Sequence, residues 1–214
     1  MLNIKAFPVN PLEENTYVVS EPGGDAFIID CGALYTSEQE AIAQYITEQH
    51  LTPIGHLLTH AHFDHTFGAM FIHQTYGLQP RFHAADAQLY AETLQQQRHF
   101  LGRPVTASMP PSGTWLDEGT PLNLGAYRFQ VLPTPGHTQG GICLYCAEEG
   151  ILFSGDSLFR QSIGRTDLPG GDYSALTEAL TRLMELLPDN VTIYCGHGPT
   201  TTAAFERQYN PFLK

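Results

Sequence analysis

The sequence predicts an α/β fold in which two β-sheets lie face to face and helices cover their outer surfaces. Short apolar strand segments occur in two clusters along the chain, and amphipathic helical segments accompany each cluster. Each sheet can bury one face against the other sheet and its second face under helices. The chain has 214 residues, of which 42% are hydrophobic, which is sufficient for such a core.

The first cluster covers the N-terminal third of the chain. Its segments are rich in β-branched and aromatic residues and predict strands at residues 4–9, 16–20, 26–30 and 56–59. Pro22, Gly23 and Gly24 predict a hairpin turn. A helix is expected from Ser37, as its N-cap, to about residue 50, and a helical segment follows the last strand near residues 67–74.

The second cluster covers the C-terminal half. Strands are predicted at residues 128–132, 142–146, 151–154 and 191–195, and helices at 86–97, at 173–187 and near the C-terminus. A loop containing Pro, Gly and Ser is expected at residues 102–113. Because no linker, repeat or low-complexity segment is visible, residues 1–214 are expected to form a single domain.

Composition excludes several classes of protein. The net charge is −12 with only 10 Lys and Arg, which argues against a nucleic-acid binder. No apolar run approaches the ~20 residues of a membrane-spanning helix, and the N-terminus lacks the pattern of a signal peptide. Four scattered cysteines do not suggest a disulfide scaffold. A cytoplasmic protein without a membrane partner is expected.

The segment from residue 60 to residue 65 is the richest in functional groups. His60, His62, Asp64 and His65 follow a predicted strand and combine imidazole and carboxylate, the ligands that suit zinc, iron and manganese. In an extended segment, His60 and His62 would point the same way. Asp64 is expected to cap the helix that follows. A lone histidine is usually a surface or core residue, but burying this cluster would be costly without a cation.

Three further polar residues follow predicted strands downstream and are flanked by glycine. They are His137 in Pro-Gly-His-Thr, Asp156 in Ser-Gly-Asp and His197 in Gly-His-Gly. Glycine lets neighbouring backbone approach closely at such positions. Together with the first four residues they give seven candidate ligands, which is enough for two metal ions if one carboxylate bridges them.

These motifs, in this order, resemble the metallo-β-lactamase superfamily along nearly the whole chain. Asn15-Thr16-Tyr17, residues 153–159 and residues 163–167 are similar to the glyoxalase II (hydroxyacylglutathione hydrolase) branch, especially its short bacterial members. The resemblance implies a four-layer αβ/βα sandwich. It also implies a ligand set: His60, His62 and His137 for one ion, Asp64, His65 and His197 for the other, and Asp156 as the bridge.

The same resemblance implies a binuclear metallohydrolase that cleaves a thioester such as S-lactoylglutathione with a water activated by two divalent cations. Zinc is the expected ion, with iron and manganese as alternatives. Asp64 would also accept a proton, and Arg165 would bind a substrate carboxylate. The long enzymes of this branch carry a C-terminal helical glutathione-binding region, which is not expected in this protein. Gly198 and Pro199 stand where the family has Glu-Tyr, so the thiol carrier stays open.

Two other functions remain in consideration. The Gly-Arg-Thr-Asp motif at residues 164–167 also occurs in persulfide dioxygenases, where two His and one Asp hold a single iron; such an oxygenase is the leading alternative. A non-enzymatic metal-binding protein is the second. A nuclease of the same fold is disfavoured by the acidic charge. The expected partner is a small-molecule thioester, and the chain is expected to be a monomer or a homodimer.

Overall fold

The structure is a computed structural model that describes residues 1–103, 105 and 108–214; residues 104, 106 and 107, inside the loop predicted at 102–113, lie outside the described part. The strands are Asn3–Val9 (β1), Glu14–Ser20 (β2), Asp25–Ile29 (β3), Thr52–Leu57 (β4), Pro80–Arg81 (β5), Leu122–Leu124 (β6), Tyr127–Pro133 (β7), Ile142–Cys146 (β8), Ile151–Gly155 (β9), Leu158–Phe159 (β10), Ser162–Ile163 (β11), Thr192–Cys195 (β12) and Thr201–Thr202 (β13). The α-helices are Thr36–Glu48 (α1), Ala69–Tyr76 (α2), Ala87–Ala91 (α3), Thr93–Leu101 (α4), Tyr173–Leu186 (α5) and Ala203–Tyr209 (α6).

The strands form two main sheets. The first has the order β1-β2-β3-β4-β5 and the second β13-β12-β9-β8-β7-β6. The largest buried cluster contains Phe27, Ile29 and Leu57 from the first sheet together with Phe129 and Phe153 from the second. The main hydrophobic core therefore lies between two sheets packed face to face, which confirms the arrangement predicted from the strand clusters.

Helices cover the outer face of each sheet. Ile42 of α1 and Ile72 of α2 pack with Ile28 of β3 in one buried cluster. On the other side, α5 contributes Leu176, Leu180, Leu183 and Met184 to a cluster that also contains Leu152 of β9. The molecule is thus a four-layer αβ/βα sandwich, as expected.

Several strands end at one common edge. In the first sheet β3 and β4 are parallel. In the second sheet β9 and β12 are parallel, and β7 runs in their direction because the intervening β8 is antiparallel to both of its neighbours. Residues that directly follow β3, β4, β7, β9 and β12 therefore emerge at corresponding strand ends, and the seven candidate ligands all belong to such segments.

The helix starts differ from those predicted. Helix α1 follows Tyr35 rather than Ser37, and its first turn is capped by the carboxylate of Glu38, which accepts hydrogen bonds from the backbone N–H groups of Leu34 and Tyr35. Asp64 does not cap a helix: it lies inside the 3₁₀ turn Phe63–His65, and α2 begins at Ala69. The cap prediction for Asp64 was wrong because its carboxylate faces other ionisable side chains instead of the helix backbone.

Other differences concern short elements. The helix predicted at 86–97 is two helices, α3 and α4, joined at Glu92. Strand β4 begins at Thr52, earlier than predicted, although Pro53 lies within it. Strands β5, β6, β10, β11 and β13 have two or three residues each, too few to show a period in the sequence. Among the described residues, no helix has the length and apolar character needed to cross a bilayer.

Candidate metal centre

The seven side chains predicted as metal ligands lie together at the edge where the strands end. The loop after β4 supplies His60, His62, Asp64 and His65, the loop after β7 supplies His137, and Asp156 and His197 follow β9 and β12. Their candidate ligand atoms form overlapping groups in which all atoms lie within 4.8 Å of one another. All seven predicted positions are thus brought to one place; their roles as ligands stay predictions.

The first group contains His60, His62 and His137. Nδ1 of His62 lies 2.9 Å from Nε2 of His137. The ring of His60 lies 4.9 Å from that of His62 and 4.8 Å from that of His137, measured between centroids. Strand β4 ends before His60, so an extended loop, rather than a strand as predicted, brings His60 and His62 to the same side.

The second group contains Asp64, His65 and His197. Oδ2 of Asp64 lies 3.3 Å from Nε2 of His197 and 4.0 Å from Nε2 of His65. His65 is fully buried, whereas the His197 side chain is 24% exposed. The second group therefore extends from the buried interior to the protein surface.

Asp156 lies between the two groups. One of its oxygens is 3.3 Å from Nε2 of His65, and the other is 3.5 Å from Nε2 of His137 and 3.6 Å from Nε2 of His197. A carboxylate in this position can supply one oxygen to each of two cations. The geometry therefore fits the bridging role that the resemblance implies.

Four of the five histidines are oriented by an oxygen at Nδ1, which leaves Nε2 directed into the cluster. The partners are Thr59 Oγ1 for His60, Asp30 Oδ2 for His65, the Arg165 carbonyl for His137 and the Leu12 carbonyl for His197. An oxygen that accepts the Nδ1–H fixes the tautomer in which Nε2 carries a lone pair. His62 is the exception and turns Nδ1 toward the other ligands.

The donor set has unpaired buried atoms that a cation would satisfy. Nε2 of His60 is buried and has no hydrogen-bond partner, and the buried atoms Nε2 of His65 and Oδ1 of Asp156 face each other at 3.3 Å without hydrogen-bond geometry. Leaving such atoms unpaired costs free energy, and imidazole nitrogens with carboxylate oxygens are favoured ligands of divalent transition metals. The residues present therefore fit a pair of divalent cations.

Electrostatics divide the cluster into neutral and charged histidines when no cation is bound. Burial, with the nearby imidazoles, lowers the pKa of His60 well below its ordinary value and that of His62 to about 4. For His65 burial opposes the charge, but Asp156 and Asp30 outweigh it and raise the pKa. Burial raises the pKa of Asp156, but His65, His197 and His137 together outweigh burial and lower that pKa. His60 and His62 are therefore neutral, and the second group is an ion-paired array.

Sequence reasoning missed two aspartates that hold the ligand loops. Asp30, directly after β3, accepts hydrogen bonds from the backbone N–H and the hydroxyl of Thr59, both at 2.8 Å, besides facing His65. Asp86 accepts from the backbone N–H of Ala61, the hydroxyl of Thr138 and the backbone N–H of Gly140. Asp30 shares the signal used for the other residues, since it follows an apolar strand and precedes Cys31-Gly32, whereas Asp86 has no comparable signal.

The His197 loop is held by the N-terminal strands. The Asn15 side-chain amide donates to the carbonyls of Cys195 and Gly198, and the hydroxyl of Tyr17 donates to Cys195. At Gly196 a Cβ would lie only 2.2 Å from Oδ1 of Asp156. The expectation that glycine permits close approach beside these residues is therefore confirmed.

Arg165 lies beside the cluster, although its guanidinium is already paired. It lines a cavity of about 480 Å³ together with Arg160, His137, Asp156 and His197. Its Nε and Nη2 atoms donate to the two carboxylate oxygens of Asp167, both at 2.8 Å. Arg160, which the sequence reasoning missed, contacts the ring of Phe205. Binding of a substrate carboxylate by Arg165 stays a prediction and would require exchange with Asp167.

A two-sheet αβ/βα sandwich with a histidine and aspartate cluster at the strand ends defines a class of proteins, the metal-dependent hydrolases of this fold. The family described as "Metallo-beta-lactamase superfamily" matches residues 9–197. The chain belongs to this superfamily, whose members bind divalent metals.

Curated relatives match nearly the full length of the chain. Hydroxyacylglutathione hydrolase GloC of Haemophilus influenzae is 35% identical over 212 residues, covering 99% of this chain and 98% of that protein. The probable metallo-hydrolase YqgX of Bacillus subtilis is 33% identical over 210 residues, covering 98% and 96%. The chain is a metallohydrolase of this superfamily.

Solved structures agree with the fold. The BLEG-1 B3 metallo-beta-lactamase superposes with a TM-score of 0.89 at 36% identity, covering 99% of this chain and all of that one. TTHA1623 in a di-iron-bound form gives 0.86 at 37%, covering 98% and 100%. ETHE1 from Myxococcus xanthus gives 0.77 at 24%, with 98% and 83% coverage, and shares the fold.

Proposed function

We propose that this chain is a binuclear metallohydrolase that cleaves a thioester such as S-lactoylglutathione. The observation that carries the proposal is the position of Asp156 between two groups of three ligands, within 3.6 Å of a histidine from each group. A site for one ion needs no such arrangement. The 35% identity to hydroxyacylglutathione hydrolase GloC supports the choice of a thioester.

Divalent cations bound here would lower the pKa of a bound water from about 15.7 to about 7 and polarise a carbonyl group, so that no serine or cysteine nucleophile is needed. Hydrolysis joins the water oxygen to the acyl carbon, breaks the C–S bond and releases a carboxylic acid and a thiol. Zinc is the ion we propose, with iron and manganese as alternatives, because the donor set suits all three.

The residues of the chain supply position and proton transfer. Asp64 lies in the second group with its Oδ2 directed at His197, and its carboxylate can accept the proton of the attacking water. The cavity that contains Arg160 and Arg165 adjoins His137 and His197 and offers positive charge to an anionic thiol carrier. A thiolate is a good leaving group and needs no strong acid.

The persulfide dioxygenase alternative would use two histidines and one aspartate around one iron. The seven clustered donors exceed that requirement, which favours the hydrolase. The structural similarity to ETHE1 shows a common fold alone, because an identity of 24% does not extend to the reaction. A metal-binding protein without activity remains the third candidate. The small-molecule partner, the single domain, the cytoplasmic location and the monomer or homodimer stay predictions.

The decisive experiment measures hydrolysis of S-lactoylglutathione and a panel of other thioesters by samples whose metal content is determined in parallel. Thiol release by protein that contains two ions per chain is the expected result. Oxygen consumption with glutathione persulfide, measured on the same samples, tests the dioxygenase. Fully metallated protein that hydrolyses none of the thioesters would refute the proposal, and oxygen uptake would replace it with the alternative.

A further inference from the structure

A second cavity adjoins the candidate metal centre and is distinct from the one that contains the arginines. Its volume is about 550 Å³, and it lies between the segment that carries His62 and Phe63, helices α3 and α4, and the segment at Leu168 and Pro169. His62 and Phe63 belong to the ligand-bearing loop itself. The cavity therefore adjoins the candidate metal centre at His62.

The exposed surface of this cavity is mostly apolar, although His62, Glu92, Gln95, Gln96 and His99 also line it. Phe63, Leu89, Phe100, Leu168 and Pro169 face it, and the rings of Phe63 and Phe100 pack with their centroids 4.9 Å apart. Phe100 is 37% exposed although it is a large apolar side chain. Exposed aromatic surface beside a reactive centre suits an apolar ligand, because its burial removes both surfaces from water.

The charge around this cavity favours an uncharged group within it over an anionic one. Among the described residues that line it, Glu92 carries the formal charge and no lysine or arginine is present. The cavity beside His137 and His197, by contrast, has Arg160 and Arg165 in its wall. The two cavities thus adjoin the same ligand cluster, but one has arginines in its wall and the other is largely apolar.

We propose that the apolar cavity binds the acyl half of the substrate and that the preferred acyl group is apolar, uncharged and larger than lactoyl, such as a hexanoyl chain. The inference rests on the proposed thioester hydrolysis. That reaction breaks the substrate at its C–S bond into two parts, and the carbonyl carbon must lie at the ligand cluster. An acyl chain leaving the cluster past His62 enters the apolar cavity, while an anionic thiol carrier lies on the side of the arginines.

The test uses acetyl, butyryl and hexanoyl thioesters of one common thiol. We expect kcat/KM to rise about two- to fourfold for each methylene added, since each would be buried against Phe63 and Phe100. Phe100→Ala should flatten this dependence on chain length. Ile54→Ala, which removes a comparably exposed apolar side chain of β4 that lines neither cavity, should retain it.

Calorimetric titration of the metal-loaded protein with hexanoate and acetate gives a readout that does not require turnover. Hexanoate should bind at least about tenfold more tightly than acetate, and Phe100→Ala should reduce the difference. Equal binding of the two acids, or a flat series with S-lactoylglutathione still hydrolysed, would overturn the assignment of the cavity alone. Absence of any thioester hydrolysis would overturn the proposed function, and calorimetry would still decide what the cavity binds.

Discussion

Asp64 combines two properties within the ligand cluster. It is 8% exposed, so water has limited access to it, yet its carboxylate faces His65 and His197. Burial raises the pKa of Asp64, but His197 and His65 together outweigh burial and lower that pKa, so the carboxylate stays ionised. An ionised carboxylate at this position can serve both as a ligand and as a proton acceptor.

Asp64→Asn separates these two roles. The amide oxygen can still bind a cation, but the amide cannot accept a proton, so we expect kcat to fall by about 10²–10⁴ while the metal content is retained. Steady-state kinetics and elemental analysis of the same sample measure both. Asp117→Asn, at an exposed turn, is the matched control and should match the parent protein. Unchanged turnover in Asp64→Asn would contradict the proton-acceptor role.

His56 makes the stability of the protein depend on pH. It is fully buried in β4, neither ring nitrogen has a hydrogen-bond partner, and burial lowers its pKa to about 3. Between that value and an unfolded pKa of about 6.5, the unfolded chain binds one more proton than the folded chain. Stability should therefore decrease as the pH falls below about 6.5.

His56→Leu removes this proton linkage. The free energy of unfolding of the metal-free variant, from urea titrations between pH 6.5 and 4.5, should depend on pH less steeply by up to about 1.4 kcal/mol per unit. The stability near pH 7 should not decrease, because two unpaired polar atoms are lost from the interior. His99→Leu, at an exposed position on α4, should keep the parent slope, and equal slopes for all three proteins would refute the assignment.

At the level of single residues, a functional residue can be predicted from the sequence only where a local sequence pattern marks it. His137, Asp156 and His197 are recognisable because each follows an apolar strand and adjoins glycine. The partners that fix the imidazole tautomers are not recognisable in the sequence. Two of them are the backbone carbonyls of Leu12 and Arg165, which are distant in sequence from the histidines that they orient. Such contacts depend on chain topology, and any residue type can supply a carbonyl.

At the scale of elements, Asp86 joins loops that come from different sheets. Its carboxylate, at the start of α3, accepts a hydrogen bond from Ala61, which lies between His60 and His62 in the loop after β4. It also accepts hydrogen bonds from Thr138 and Gly140, close to His137 in the loop after β7. A Cβ at Gly140 would lie 2.7 Å from Asp86, which shows how closely the second loop is packed. The relative position of His60, His62 and His137 therefore depends on a residue outside both loops.

Asp86→Asn should loosen that arrangement. The asparagine oxygen replaces one acceptor, while its NH2 group faces a donor that it cannot pair. We expect metal affinity to fall about 10–100-fold, measured by competition with a chromophoric chelator. Thr202→Ala, which removes the N-cap of α6, should cost about 1 kcal/mol of stability and leave metal affinity unchanged. Wild-type affinity in Asp86→Asn would limit the role of Asp86 to general stability.

The elements that the sequence predicted least well are those fixed by tertiary contacts. Within the described part of the chain, the two-residue strands β10 and β11 pair only with each other. The hairpin they form is held by Glu206, which accepts a hydrogen bond from the backbone N–H of Gln161. Helix α1 begins at Thr36, one residue before the predicted N-cap Ser37, because the Glu38 carboxylate caps its first turn. Periodicity identifies long elements, whereas their ends are decided by individual side-chain contacts.

At the scale of the molecule, the ligand cluster connects the two halves of the sandwich. His60, His62, Asp64 and His65 extend from the first sheet, and His137, Asp156 and His197 from the second. Each group of three, together with Asp156, contains residues from both halves. Cations bound at this edge would add to the hydrogen bonds and apolar contacts that already join the two halves, and they would supply partners for buried polar atoms of the cluster.

Chelation should therefore lower the stability of the whole molecule and not only its activity. A cation at a concentration 100 times its Kd stabilises the folded state by about 2.7 kcal/mol, so removing it should lower Tm by several degrees, measured by thermal unfolding before and after chelator treatment. Adding back zinc, iron or manganese should restore Tm. Asp156→Ala, which removes the carboxylate shared by the two groups, should show a clearly smaller shift. An identical shift in that variant would mean that Asp156 does not join the groups, and a Tm unaffected by chelation would mean that the cluster does not hold cations.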